Sequence, residues 1–213
     1  MPIKRFGFAA LVVVGSALLV IAVWVGFLSG YLSASKETKH ANELLSAPKN
    51  SSTSDEAPSN LLVEGIPTVG DYFAVIRIPA LGNDWLHTVS EGTTPEILDD
   101  LGVGHYEGTE LPGEPGNFAL AGHSGSSWTP FAKLDDVAIG EYVELETFSR
   151  KYVYEVIDTE TVEETDVKTV YDNPEFGKKT LDDQWLTITT CLTDGPQNLR
   201  YVVYAKLVSE SAR

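Results

Sequence analysis

The chain has little cysteine and little positive charge, and both shortages limit what it can be. Cys191 is the one cysteine in 213 residues, so no intramolecular disulfide can form. A solitary thiol is either an inert small hydrophobe or a reactive group. Lys and Arg total 15 against 31 Asp and Glu, a formal net charge of −16. That balance argues against a nucleic-acid partner and fits an acidic, soluble surface. No internal repeat and no EF-hand pattern are present. Thr161-Val-Glu-Glu-Thr-Asp-Val-Lys168 gathers carboxylates but reads as a solvated loop, so no metal and no cofactor are assigned.

Charge-free apolar sequence of crossing length stands at the N-terminus. Lys4 and Arg5 precede Phe6 to Leu28, 23 residues apolar apart from glycines and one serine. As a helix they rise about 35 Å, against a hydrocarbon core of about 30 Å. A cleaved signal peptide is the alternative; its apolar stretch is usually about 7–15 residues, and Ser33-Ala-Ser35 is a weak cleavage signal. The basic residues keep the N-terminus cytoplasmic by the positive-inside rule. The expected organisation is a cytoplasmic stretch 1–5, a single-pass anchor 6–28 in the cell membrane, an extracytoplasmic linker 29–65, and one extracellular domain 66–213. Ser, Lys, Glu and Pro dominate much of the linker, for example Lys49-Asn-Ser-Ser-Thr-Ser-Asp-Glu-Ala-Pro-Ser59, though Asn42-Glu-Leu-Leu45 can continue the helix. All 31 acidic residues and 13 of the basic ones follow the anchor, a net of −18, which disfavours anionic lipid.

The domain alternates short strands with turn signals. Tyr72 to Ile78 reads as a strand stopped by Pro79, and Pro95 to Leu101 as a short helix stopped by Gly102. Val103 to Tyr106 and Asn117 to Ala121 read as strands, and Trp128 to Leu134 as one helical turn. Glu141 to Thr147 alternates, with Val143 and Leu145 inward, and pairs with Lys151 to Ile157 across Phe148-Ser-Arg150. The last two strands are Trp185 to Cys191 and Arg200 to Val208. This pattern predicts a mainly β fold, a closed mixed barrel with few helices, with an open sandwich as the alternative.

The chemistry-bearing residues sit at strand ends. Trp185-Leu-Thr-Ile-Thr-Thr-Cys191 presents a thiol at its exit, and Arg200 opens the next strand after a loop holding Gly195 and Pro196. A thiol and a guanidinium so placed can meet at one edge of a sheet. Asn117-Phe-Ala-Leu-Ala-Gly-His123 delivers a histidine at another strand end. Period two places Trp185, Thr187, Thr189 and Cys191 on one face. Thr187 and Thr189 are read simply as good strand formers. A free thiol has a pKa of about 8.5; an imidazole and a guanidinium nearby favour its thiolate, which attacks carbonyl carbon. Among the other histidines, His105 also ends a strand, His87 is expected in a loop and His40 in the linker. The residues favour His123 over His105 only by the Gly122-His-Ser-Gly125 turn that exposes it. No carboxylate is evident beside it.

Thr187-Ile-Thr-Thr-Cys191, Arg200 at the next strand's start and Ala121-Gly-His123, in this order behind an apolar anchor, resemble the sortase family, membrane-anchored cysteine transpeptidases of Gram-positive bacteria. Gly102-Val-Gly-His-Tyr106 followed by Leu111-Pro-Gly-Glu-Pro-Gly-Asn117 is most similar to the class E sortases of actinobacteria. The resemblance covers roughly residues 70 to 208. It implies an eight-stranded barrel with the Cys and Arg strands adjacent. It also implies the roles of Cys191 as nucleophile, His123 as acid and base, and Arg200 as donor to the oxyanion or substrate backbone. One departure is Ser124, where many class E members carry Arg or Thr; no effect on the chemistry is expected from it.

The activity implied by the resemblance is cleavage of a C-terminal sorting signal, Leu-Pro-x-Thr-Gly or Leu-Ala-x-Thr-Gly in type, between Thr and Gly. A thioester on Cys191 then passes to an amine of the peptidoglycan precursor. Partners are surface proteins bearing that signal, the wall precursor, and the membrane through the N-terminal helix. Two alternatives stay open: a pilin-polymerising sortase, and a non-enzymatic tethered barrel that binds a partner. An L,D-transpeptidase would need a His-Gly-x-Cys arrangement, which is absent.

Overall fold

The structure is a computed structural model that describes residues 3–46, 62–126, 129–166, 170, 183–192, 195–196 and 198–213. The chain divides into two compact units, Met1–Lys36 and Glu37–Arg213. A helix, α1 (Ile3–Ser46), begins in the first and ends in the second. Among the described residues no helix is long and apolar enough to cross a membrane. The side chains of residues 6–13, within the apolar run, are not among those described.

The second unit is a closed barrel of eight strands. They are β1 (Tyr72–Arg77), β2 (Leu86–Glu91), β3 (Val103–His105), β4 (Gly116–Gly122), β5 (Tyr142–Thr147), β6 (Arg150–Glu163), β7 (Gln184–Cys191) and β8 (Leu199–Ala212). Their order around the barrel is β1-β2-β3-β4-β7-β8-β6-β5, closed by β5 on β1. The β2–β3 and β4–β7 pairs are parallel, so the barrel is mixed. Val143 and Leu145 point inward from β5 as their alternation predicts. Phe73, Ile76, Phe118, Leu120, Leu186 and Ile188 join them in the core. The ladder between β6 and β8 shifts register at Val153/Tyr154 and at Val156/Asp158. Such bulges bend strands and help a sheet close on itself.

Several stretches differ from the sequence reading. His87, expected in a loop, lies in β2. Its sequence, Leu-His-Thr-Val-Ser-Glu, hides a strand because four polar residues are buried with it. Two of them find partners elsewhere: Thr88 donates to the Leu101 carbonyl at 3.2 Å, and Glu91 meets His105 at 2.6 Å. β6 continues to Glu163, through residues read as a loop. Trp128 lies outside the described residues; the short 3₁₀ turn nearby is Leu134–Asp136. The helix α2 (Pro95–Leu101) ends at Gly102, as expected from the sequence.

Residues 29–46, expected as linker, are helical, and the last turns of α1 pack on the barrel. Ala41 and Leu44 are buried against Leu62, Val75 and Leu86. Glu37 Oε1 lies 2.7 Å from His87 Nδ1, meeting it off-axis rather than in a directed hydrogen bond. Gly102, at φ +84°, leaves room for this carboxylate; a Cβ there would lie 2.1 Å from Glu37 Oε1. His40 sets its ring edge-on to Tyr72. Burial, then the carboxylates of Glu37 and Asp100, push the Tyr72 phenol above its usual pKa. A helix end leaves carbonyls unpaired, and the Arg213 guanidinium donates to those of Leu44 and Leu45.

Candidate active site

Parallel strands exit at the same end of a sheet, which brings His123, just past the end of β4, and Cys191, at the end of β7, to one rim. The β4–β7 register ends at Ala121 opposite Thr189, two residues before His123 and Cys191. Past it, Thr190 donates its hydroxyl to the Gly122 carbonyl at 2.7 Å, and Ser124 donates to the Cys191 carbonyl at 2.6 Å. On its other side β7 is antiparallel to β8, with Cys191 directly opposite Arg200. The histidine, cysteine and arginine segments therefore converge on one rim. The thiol is half-buried in a cleft of about 120 Å³ lined by Phe131, Leu134, Asp135, Thr190, Leu192 and Tyr201. Apolar walls of this kind exclude water from a reacting carbonyl.

His123 and Arg200 are each held by a carboxylate. His123 Nε2 lies 2.9 Å from Asp99 Oδ1, a residue of α2. With a carboxylate accepting there, Nε2 carries the proton and Nδ1 is left for other work. Both side chains are well exposed, 41% and 67%, so the pair contributes orientation rather than much stability. Arg200 Nη2 meets Glu164 Oε2 at 2.7 Å, and its Nη1 donates to the Leu199 carbonyl at 3.0 Å. Glu164 follows directly on β6, whose Val162 lies opposite Arg200.

A sortase domain matches residues 76–208. The chain belongs to the sortase family. Sortase SrtE1 of Streptomyces coelicolor is 30% identical over 151 residues, covering 68% of this chain and 42% of that protein. This sortase thus spans less than half the length of that relative. Sortase D of Bacillus subtilis is 26% identical over 203 residues, covering 91% of this chain and 95% of that protein. The structure of sortase E from Streptomyces avermitilis aligns with a TM-score of 0.61 at 33% identity, covering 68% of this chain and 93% of that one.

The remaining histidines, and Arg77 and Arg150, sit elsewhere in the barrel unit of this sortase. His105 is 2% exposed, with Nδ1 2.6 Å from Glu91 and Nε2 2.8 Å from Thr109 Oγ1, its ring against Phe73 and Phe118. His87 lies in β2 and His40 near the end of α1. Arg150, paired with Glu210, opens β6 opposite Ala212 of β8, the end of β8 away from Arg200. Arg77 faces Asn83 and Glu144.

Sequence reasoning missed the groups that touch the candidate residues. It found no carboxylate beside His123, yet Asp99 stands there; no spacing rule links positions 24 residues apart. It read the acidic stretch after Glu160 as solvated, yet Glu164 engages Arg200. Among the described residues no cluster of His, Cys, Asp and Glu has the make-up of a metal site. The threonines of β7 also do more than favour a strand. Thr187 donates to Asn117 Oδ1 at 2.7 Å and Thr189 to the Leu120 carbonyl at 3.2 Å, both on β4.

Proposed function

We propose that this sortase is a membrane-anchored cysteine transpeptidase of the cell wall. The observation that carries the reading is the register of Cys191 opposite Arg200 on the rim that β4 supplies with His123. The Cys191 thiolate attacks the Thr carbonyl of a Leu-Pro-x-Thr-Gly- or Leu-Ala-x-Thr-Gly-like sorting signal. The oxyanion draws on the Arg200 guanidinium, whose planar fork suits it. The His123 imidazolium protonates the departing Gly amine as the C–N bond breaks, leaving a thioester on Cys191. The freed imidazole takes a proton from an incoming peptidoglycan amine, which attacks the thioester and releases the thiolate. Glu164 engages Arg200, so the substrate carbonyl competes with that carboxylate for it.

Mass spectrometry of the protein after incubation with Leu-Pro-x-Thr-Gly and Leu-Ala-x-Thr-Gly peptides checks this. The expected product is an acyl adduct on Cys191. A folded protein that never forms one, with either peptide, defeats the reading. The rate of thiol alkylation near neutral pH tells an activated cysteine from the inert thiol of a binding module. An adduct resolved by a protein lysine in preference to a wall amine would favour the pilin-polymerising alternative.

The anchor and the extracellular placement of the domain belong to the same proposal. Lys4 and Arg5 before an uncharged run of 23 residues support it. So does the apolar surface that α1 leaves exposed at Leu18, Leu19, Val20, Ile21, Val23 and Trp24. Protease added to intact, wall-stripped cells is expected to remove the domain. A protected domain, or a free protein shortened near residue 35, sinks this part.

A further inference from the structure

Ser124 follows His123, is 1% exposed and donates its hydroxyl to the carbonyl of Cys191 at 2.6 Å. Thr190, just before Cys191, is 4% exposed and donates to Gly122, just before His123, at 2.7 Å. The two bonds run in opposite directions between the same two chain segments. The β4–β7 register has already ended, at Ala121 and Thr189. Beyond that point hydroxyl groups hold the two segments together. The turn that carries His123 is also held by the Phe131 N–H, which donates to the His123 carbonyl at 3.0 Å.

We propose that Ser124 is a positioning residue: its hydroxyl locks the turn bearing His123 onto the backbone of Cys191 and so fixes the imidazole beside the thiol. The inference rests on the reading of Cys191 and His123 as a reacting pair. It reverses the expectation that Ser124 is without effect. Magnitudes favour a kinetic role over a structural one. One neutral hydrogen bond changes global stability little, whereas a reacting group misplaced by about 1 Å can cost about 10²-fold in rate. Ser is suited to the place, since a buried hydroxyl can donate without bringing charge between the pair.

The test uses the full chain in detergent and four variants. Ser124→Ala is expected to lower turnover of a sorting-signal peptide about 10- to 100-fold, with KM changed less than about twofold. The pH profile of Cys191 alkylation by iodoacetamide, which needs no substrate, is expected to move to higher pH as the imidazole drifts from the thiol. Asp99 on His123, Asp135 and Tyr201 in the thiol's cleft, Arg200 opposite Cys191 and Glu164 on Arg200 are unchanged throughout. Ser124→Thr keeps the hydroxyl and restores both readouts, and Ser124→Val, of the same shape without it, does not. Parental turnover in Ser124→Ala overturns the proposal. So does lost turnover with an unshifted alkylation profile, which marks a merely structural role. If Ser124→Ala does not fold, the Thr and Val variants make the same comparison, and equal behaviour of the two overturns it. Cys191→Ala is the control: if it still turns over peptide, the underlying reading fails. If it is silent while Ser124→Ala is normal, only this inference fails.

Discussion

Cys191→Ala is expected to abolish both transpeptidation and hydrolysis while leaving the barrel folded. The side chain is half-buried in a small cleft, not in the core, so its loss opens no large cavity. Every covalent step of the proposed reaction passes through its sulfur. His123→Ala is expected to come close to the same loss, because neither proton transfer then has a carrier. In the parent, activity against pH should trace a bell whose two limbs belong to the thiol–imidazole pair jointly. His105→Ala provides the contrast. Removing it leaves Glu91 buried without its partner, which typically costs about 3–5 kcal/mol, so folded protein is lost rather than chemistry. Activity per folded molecule, with the folded fraction measured by near-UV circular dichroism, separates the two. An active His123→Ala, or a folded but inactive His105→Ala, would reassign the base.

Arg200→Lys is expected to lose most of its turnover although the charge is kept. Removing one oxyanion donor typically costs about 10²–10³ in rate, and an ammonium cannot reproduce the planar fork. Stability should hardly move. The Arg200–Glu164 pair lies partly in solvent, where such contacts contribute about 0–1 kcal/mol, and water can take the place of the guanidinium on Glu164. Cys191 should stay alkylatable, since its histidine is untouched. Near-normal turnover in Arg200→Lys would show that charge alone suffices. Normal turnover in Arg200→Ala would remove Arg200 from the site and leave the reading to Cys191 and His123.

What the sequence made legible was local. Val143 and Leu145 alternate with charged neighbours, so β5 could be read without its partner strand. Pro95 and Gly102 bracket α2 because each acts on its own backbone. The strands carrying Cys191 and Arg200 are adjacent in chain and in space, so one rim of the site was visible as well. What stayed hidden depends on partners far along the chain. β2 conceals itself behind His87, Thr88, Ser90 and Glu91; Glu37 of α1, the Leu101 carbonyl of α2 and His105 of β3 meet three of them. Asp99 and Glu164 look like ordinary surface acids until the fold sets them beside His123 and Arg200. The end of α1 did carry a signal: Glu37, Ala41 and Leu44 fall at helical spacing, a narrow stripe that the surrounding Ser and Lys obscured.

The parallel pairing of β4 with β7 also bears on when the proposed thiol–imidazole pair can form as the chain folds. Parallel neighbours cannot be joined by a hairpin, and β5 and β6 are laid down between them in the chain. β7 is inserted between β4 and β8, so its place is secured only after nearly the whole sequence has emerged and long loops have closed. Until then the sulfhydryl travels without its imidazole, as sluggish toward carbonyls as any free cysteine. The order in which the strands assemble keeps Cys191 apart from His123 until the barrel has closed.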